Sequence, residues 1–359
     1  MSNQATLDSI YECTPRQTAQ FVEDCIYAGL VPFVKSSPGM GKSSIMRQVA
    51  DKLGLALIDH RLSTSEPTDM NGLPRFTEDG KAAFMPFEEL FPLEGIPLPK
   101  NKQGWMLFLD EANSATKAVQ AASYKLILDR MVGQHRLHEC VAPTMAGNHD
   151  TDGAITTRIG TALQSRVVHI KMRTDFKEWL EDVATPQKYD PRIIAYLNWK
   201  PSSLNDFKPD HKNDTFCCQR TWEFMNRLIK DQEITDAKTP LYVGTISPGV
   251  AVDFVQFTKV YASLPDIRAI INDPMSASIP QDTATRWAVT MKLATEADDT
   301  TFGPLAQYMD RFGIENRILF YRTAIAGNAK LHSHPTFIKA MVALSQYLNP
   351  QDRQLKNAA

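Results

Sequence analysis

The stretch "FVKSSPGMGKSS", residues 33–44, runs from an apolar segment through small residues into Gly41-Lys42-Ser43. Phosphate-binding loops follow the pattern G-x-x-x-x-G-K-[ST], and here Ser36 stands where the first glycine would be. Glycines let the backbone approach a phosphate, the lysine reaches the outer phosphates, and the hydroxyl beside it holds Mg²⁺. We therefore predict a nucleotide-binding loop, with a flexible strand-to-helix connection as the alternative. The predicted contacts are Ser37, Pro38, Gly39, Met40, Gly41, Lys42, Ser43 and Ser44.

A second stretch, "WMLFLDEAN", residues 105–113, ends an apolar run in two carboxylates, Asp110 and Glu111. A continuous apolar run is typical of a strand buried on both faces. In parallel sheets, ligands bind at the carboxyl ends of the strands, beside the loop described above. We predict that Asp110, with Ser43, holds the metal and that Glu111 polarises the attacking water. The alternative is a surface acidic pair that caps the following helix.

Composition limits the classes of protein that remain. A chain of 359 residues is longer than one core usually holds, so two or three domains are expected. The formal net charge of −2 gives no global attraction to nucleic acid. We expect no membrane span and no signal peptide, because no apolar run approaches about 20 residues and the N-terminus is polar. Five scattered cysteines favour a reducing cytoplasm.

Residues 1–172 alternate between helix and strand patterns, which predicts an α/β fold with a mostly parallel sheet covered on both sides. The predicted strands are 30–34, 55–58, 105–109 and 167–170, and the first predicted helix is 16–28. Apolar residues at helical spacing predict two more helices, one after the loop and one around residues 119–126. The stretch "RFTEDGKAAF" predicts a hairpin that turns at Asp79-Gly80.

Beyond residue 173 the strand patterns largely stop. Helices are predicted near 175–184, 190–199, 219–230, 248–263, 283–297, 314–327 and 335–348. The pairs His135/His138 and His332/His334, and Cys217-Cys218 near His211, lack the ligand clusters of metal sites and are interpreted as structural.

The loop and "LFLDEAN" together resemble the AAA+ ATPases, and most closely their MoxR-like branch. Three further stretches carry this resemblance: "PTMAGNHD" is similar to the sensor 1 strand and tip, "ALQSRVVHI" to the helix end that supplies an arginine finger, and "CCQRTWEFMNRLI" to the sensor 2 helix of the lid. The order of the five motifs agrees with the family over residues 15 to about 264.

The resemblance assigns a role to three of these residues. Asn148 would bind the attacking water or the γ-phosphate, Arg166 would reach a neighbouring subunit's γ-phosphate, and Arg220 would be the sensor of the lid. The alternatives are a turn-forming Asn148 and a solvated Arg220 beside a core stripe. Arg158 is a second candidate for action in trans.

The family implies an AAA+ αβα core at 1–172, with insertions near 64–98 and 129–143, and a helical lid at 173–264. The helical patterns that follow predict a helical C-terminal region at 265–359. The family also implies ATP and Mg²⁺, a hexameric ring, and chaperone-like remodelling of a protein partner, often one with a von Willebrand factor A-type domain. The insertions would face the ring's pore, the first around Asp69-Met70-Asn71 and the second through a hairpin around Gln134 to His138. A nucleotide-driven DNA motor and a slow nucleotide-gated binding switch remain as alternatives.

Overall fold

The computed structural model describes residues 12–150, 152, 159–262, 264 and 266–348. These residues form two compact units. The first extends to Asp175 and includes Phe207–Lys212, and the second holds Phe176–Asp206 and the described residues from Asn213 onward.

The first unit is built on a six-stranded sheet in which every pairing is parallel. Its strands are β1 (Glu12–Cys13), β2 (Pro32–Lys35), β3 (Leu55–Arg61), β6 (Gly104–Asp110), β9 (Val141–Gly147) and β10 (Val168–Met172). They lie in the order β1-β10-β2-β9-β6-β3, so β2 has the later strands β9 and β10 on its two sides. Two antiparallel hairpins stand apart from this sheet, β4 (Leu73–Phe76) with β5 (Ala82–Met85), and β7 (Met131–Val132) with β8 (His135–Arg136).

The helices of this unit are α1 (Pro15–Tyr27), α2 (Lys42–Lys52), α3 (Pro67–Asn71), α4 (Lys117–Leu128) and α5 (Thr161–Gln164). Side chains of β6 alternate between the two faces of the sheet. Met106 and Phe108 pack in one apolar cluster with residues of α1 and α2, whereas Leu107 and Leu109 pack in another with residues of α4. Strand periodicity therefore explains why the sheet is covered on both sides.

The second unit is helical throughout the residues that the structure describes. Its helices are α6 (Phe176–Trp179), α7 (Pro191–Trp199), α8 (Gln219–Ile229), α9 (Thr239–Val243), α10 (Pro248–Ala262), α11 (Ile267–Asn272), α12 (Thr283–Thr295), α13 (Phe302–Met309), α14 (Ile314–Gly327) and α15 (Pro335–Leu348). Leu180–Ala184 continues α6 as a π turn. Helix α12 contributes Ala288 and Met291 to one apolar cluster and Val289 and Leu293 to a second.

The predicted α/β class is confirmed: a parallel sheet covered by helices is followed by a helical region. The seven helices predicted beyond residue 173 are all present, and α7, α14 and α15 begin or end within a residue of their predicted limits. The domain boundaries at 172 and 264 stay predictions. Among the described residues, no helix combines the length and the apolar character needed to cross a membrane.

Candidate functional site

The predicted phosphate loop connects β2 to α2 at the carboxyl edge of the sheet. Gly39 and Gly41 have φ of 72° and 84°, left-handed values that residues with a Cβ rarely adopt. Gly41 is the N-cap of α2 and makes no side-chain cap hydrogen bond. A helix N-terminus without a side-chain cap is the usual arrangement for binding an anion.

Lys42 lies in the first turn of α2, and its ammonium group is held by oxygen atoms. Its Nζ donates to the Ser36 carbonyl at 2.9 Å, the Ser36 Oγ at 3.1 Å and the Ser37 carbonyl at 3.3 Å. It also donates to Asn148 Oδ1 at 3.0 Å. Ser36, which replaces the first glycine of the motif, is fully buried and accepts two of these hydrogen bonds.

The predicted metal ligands, Ser43 of α2 and Asp110 of β6, are in contact. Ser43 Oγ donates to Asp110 Oδ2 at 3.0 Å, and Asp110 is buried at the end of β6. A hydroxyl and one carboxylate are hard oxygen donors, and Mg²⁺ typically takes one or two such protein ligands and completes its shell with phosphates and water. The described residues contain no group of three or more His, Cys, Asp or Glu side chains that could hold a metal alone. The pair therefore fits a nucleotide-bound Mg²⁺.

Glu111 follows Asp110 with a left-handed backbone, φ 54°, at the tight exit from β6. Ser63 Oγ donates to its carboxylate Oε2, a contact that sequence analysis did not predict. Ser63 reaches this position because β3 pairs with β6 in a register that sets Arg61 opposite Asp110, two residues before Ser63. The acidic pair does not cap α4: Thr116 is the N-cap, and its hydroxyl accepts from the Val119 N–H. The capping alternative is therefore wrong.

Asn148 follows the last residue of β9, the strand beside β2. The tip after it makes two more contacts with this region, Lys35 Nζ to Asp150 Oδ1 at 3.2 Å and Ser37 Oγ to Asp152 Oδ1 at 3.4 Å. The side chain of Asn113 forms hydrogen bonds with the backbone of Asn148. Sequence analysis also missed Asn113, although "DEAN" places it three residues past Asp110.

The charge of this region is mostly negative. Carboxylates outnumber lysines among the contacts described: Asp110, Glu111, Asp150 and Asp152 stand against Lys35 and Lys42. Burial lowers the pKa of His149 below its ordinary value, so its ring adds no positive charge at neutral pH. A phosphate ligand would thus need an accompanying cation, which is consistent with binding as a magnesium complex.

Of the three predicted arginines, the structure describes Arg166 and Arg220. Arg166 is exposed just before β10, and its Nη1 donates to the Ala162 carbonyl at 2.8 Å. Arg220 is exposed in the first turn of α8, in the second unit, beside the buried stripe of Trp222, Met225 and Ile229. Arg158 lies outside the described residues.

No protein-family model matches the chain, and no curated protein matches it either. Solved structures that superpose on it include a Cytophaga hutchinsonii protein assigned as an ATPase, at TM-score 0.34 and 10% identity over 92% of this chain and 88% of that one. Another is the Thermotoga maritima RuvB Holliday junction branch migration motor, at TM-score 0.32 and 16% identity over 90% and 86% of the two chains. NtrX from Brucella abortus gives TM-score 0.34 and 13% identity over 86% and 66%.

The position of Lys42 predicts the effect of removing its charge. Lys42→Ala should weaken binding of a fluorescent ATP analogue by at least about tenfold, because a charge-assisted contact with phosphate is lost. Lys117→Ala, which removes an exposed lysine from the start of α4, is the matched control and should bind like the parent. Equal affinity of the Lys42 variant and the parent, in a folded protein, would contradict the phosphate-loop assignment.

Proposed function

We propose that this chain is a Mg²⁺-dependent ATPase of the AAA+ class, of the MoxR-like branch, acting in a ring on a protein partner. The observation that carries the ATPase proposal is the meeting of two contacts at one sheet edge. Ser43 touches Asp110 at 3.0 Å, and Lys42 touches Asn148 at 3.0 Å. Phosphoryl transfer to water requires a cation that binds the phosphates, ligands that hold the metal ion, and a polar side chain that orients the water. Lys42, the Ser43–Asp110 pair and Asn148 would supply these three functions.

The proposed roles follow from chemistry and position. The loop residues Ser37 to Ser44 would bind the phosphates, and Ser43 with Asp110 would hold Mg²⁺, which neutralises charge on the phosphates when bound. Glu111 would accept a proton from the attacking water, and Asn148 would orient that water or the γ-phosphate. Because Ser63 donates to the Glu111 carboxylate, it would set the direction in which Glu111 accepts.

Substitution of Glu111 separates binding from hydrolysis. Glu111→Gln keeps the size of the side chain but removes its basicity, so hydrolysis should fall by roughly a hundredfold or more while nucleotide affinity is retained. Phosphate release and analogue binding are measured on the same preparation. Glu89→Gln, at an exposed position, is the control and should hydrolyse at the parent rate. If Glu111→Gln also hydrolyses at that rate, Glu111 is not the base.

The position of Arg166 supports a shared active site. Lys35, at the carboxyl end of β2, lies opposite Lys171 of β10, whereas Arg166 precedes the first residue of β10, Val168. The three-residue step from Val168 to Lys171 alone spans about 10 Å along the strand. Arg166 therefore lies toward the opposite edge of the sheet from its own loop and would serve a neighbouring subunit.

Mixed rings test this arrangement. Subunits with Lys42→Ala (binding lost, finger kept) and subunits with Arg166→Ala (finger lost, binding kept) should each hydrolyse slowly. Their mixture should regain part of the parent activity, since some interfaces combine an intact loop with an intact arginine. Turnover is measured against the mixing ratio, with assembly followed by light scattering. Mixed rings that form and show no recovery would argue against Arg166 acting in trans.

The proposed partner is a polypeptide because of the β4–β5 hairpin. Phe76 is 79% exposed, and Leu73, Phe84 and Met85 are exposed on the same hairpin. Exposed apolar patches mark protein-binding surfaces more often than nucleic-acid-binding ones. Met70 is buried in the core, whereas Asp69 and Asn71 are half-buried, so the hairpin is the more exposed part of this insertion. Lys81, one of the cations that a DNA motor would use to bind phosphates, already pairs with Asp79 at 2.9 Å.

Binding titrations with a polypeptide and with DNA distinguish a protein partner from the nucleic-acid substrate of a DNA motor. Glu111→Gln with ATP should bind fluorescein-labelled casein, and Phe76→Ser should weaken this binding severalfold. Val342→Ser, at an equally exposed apolar residue of α15, is the matched control. Labelled single- and double-stranded DNA should bind no tighter than about 10⁻⁴ to 10⁻⁶ M, the nonspecific range. Tight, salt-sensitive DNA binding that is lost when Arg75, Lys81 and Arg136 become Ala would favour the motor.

A further inference from the structure

Asn113 uses one side-chain amide to hold both backbone groups of Asn148. Its Nδ2 donates to the Asn148 carbonyl at 2.7 Å, and its Oδ1 accepts from the Asn148 N–H at 3.0 Å. The residue is fully buried, so these contacts are made without competing water. Asn148 follows β9, where the strand has ended, and the amide of Asn113 supplies the pairing that a neighbouring strand would otherwise give.

Gly147 leaves room for the amide of Asn113 because it has no Cβ. A Cβ at Gly147 would lie 2.2 Å from Asn113 Oδ1 and 2.9 Å from its Cγ. Atoms cannot approach so closely, so any side chain at Gly147 would push Asn113 out of place. The glycine before Asn148 and the asparagine after the acidic pair therefore form one packed unit.

The amide also determines where the tip of β9 lies relative to the phosphate loop. Asn148 directs its Oδ1 to Lys42 Nζ at 3.0 Å. Asn113 Nδ2 is also 3.4 Å from Asp150 Oδ1, and that carboxylate pairs with Lys35 at 3.2 Å. Asn113 thus connects the chain segment that carries Asp110 and Glu111 with the residue that faces the phosphate lysine.

We propose that Asn113 is a positioning residue for hydrolysis, acting through Asn148. This inference rests on the proposed ATPase function. Asn113 would not touch the nucleotide; it would fix the Asn148 backbone so that the Asn148 side chain meets the water or the γ-phosphate. A residue that acts in this way affects turnover more than nucleotide binding, whereas a purely structural residue affects both together with folding.

Asn113→Asp tests the proposal with almost no change in shape. One carboxylate oxygen still accepts from the Asn148 N–H, but the other faces the Asn148 carbonyl and the Asp150 carboxylate where a donor is needed. We expect kcat to fall by about tenfold or more, with KM and ATP-analogue affinity close to those of the parent. Asn328→Asp is the matched control, because aspartate caps the Lys330 N–H as well as asparagine does.

Two further variants show whether the effect passes through Asn148. In an Asn148→Ala background, Asn113→Asp should lower kcat by less than twofold, because the group that it positions is gone. Gly147→Ala should reproduce the loss of kcat, since its Cβ displaces Asn113. Multiplicative losses in the double variant, or a parallel loss of kcat, nucleotide affinity and thermal stability, would overturn the proposal.

The controls also distinguish a failure of the proposed ATPase function from a failure of the role proposed for Asn113. If the parent and the Asn328→Asp control do not hydrolyse ATP, the proposed function fails, and the role of Asn113 fails with it. If both hydrolyse ATP and Asn113→Asp does so at the same rate, only the role of Asn113 is wrong.

Discussion

The burial of β6 on both faces determines where charge can lie in the first unit. All seven of its residues, Gly104–Asp110, are buried, and its apolar side chains alternate between two clusters. A strand of this kind is stable only in the interior of a covered sheet, so its carboxylates must stand where it ends. The parallel pairing then brings the ends of β2, β3 and β9 to the same edge, because parallel strands all end on one side. The Ser43–Asp110 contact follows from this constraint.

The lysine of the loop is held in place before any phosphate arrives. Carbonyl and hydroxyl oxygens of Ser36, with the Ser37 carbonyl, hold its ammonium group from within the loop, and Asn148 holds it from the next strand. A charge positioned in advance loses little freedom when it meets its ligand, so more of the contact energy appears as affinity. The contact with Asn148 also couples the loop to the tip of β9. A bound γ-phosphate would replace an amide oxygen at the lysine, so Asn148 would change partners between the empty and the bound site.

The sequence predicted the parts of this site that depend on local pattern. The loop, the apolar run of β6 and the seven helices predicted beyond residue 173 follow from spacing within one segment, and each is present, whereas α9, α11 and α13 were not predicted. Ser63 and Asn113 could not be found this way, because their partners are fixed by strand pairing between segments far apart in the chain. Met70 was misplaced for a related reason. The resemblance placed Asp69-Met70-Asn71 at the pore, but tertiary packing puts the Met70 side chain in the core.

Two arginines of the chain differ in how firmly the structure holds their guanidinium groups. Arg192, in the second unit, donates to both Asp190 carboxylate oxygens and to the carbonyls of Ile229 and Gln232, and only 18% of its side chain is exposed. Its donors are engaged in holding its own fold. Arg166 is exposed, donates to the carbonyl of Ala162 in its own turn, and pairs with no carboxylate in the part of the chain that is described. Giving up one exposed hydrogen bond costs little, because water can take its place. The proposed role in trans needs a guanidinium held as lightly as this one, because it would have to turn toward a phosphate on another subunit.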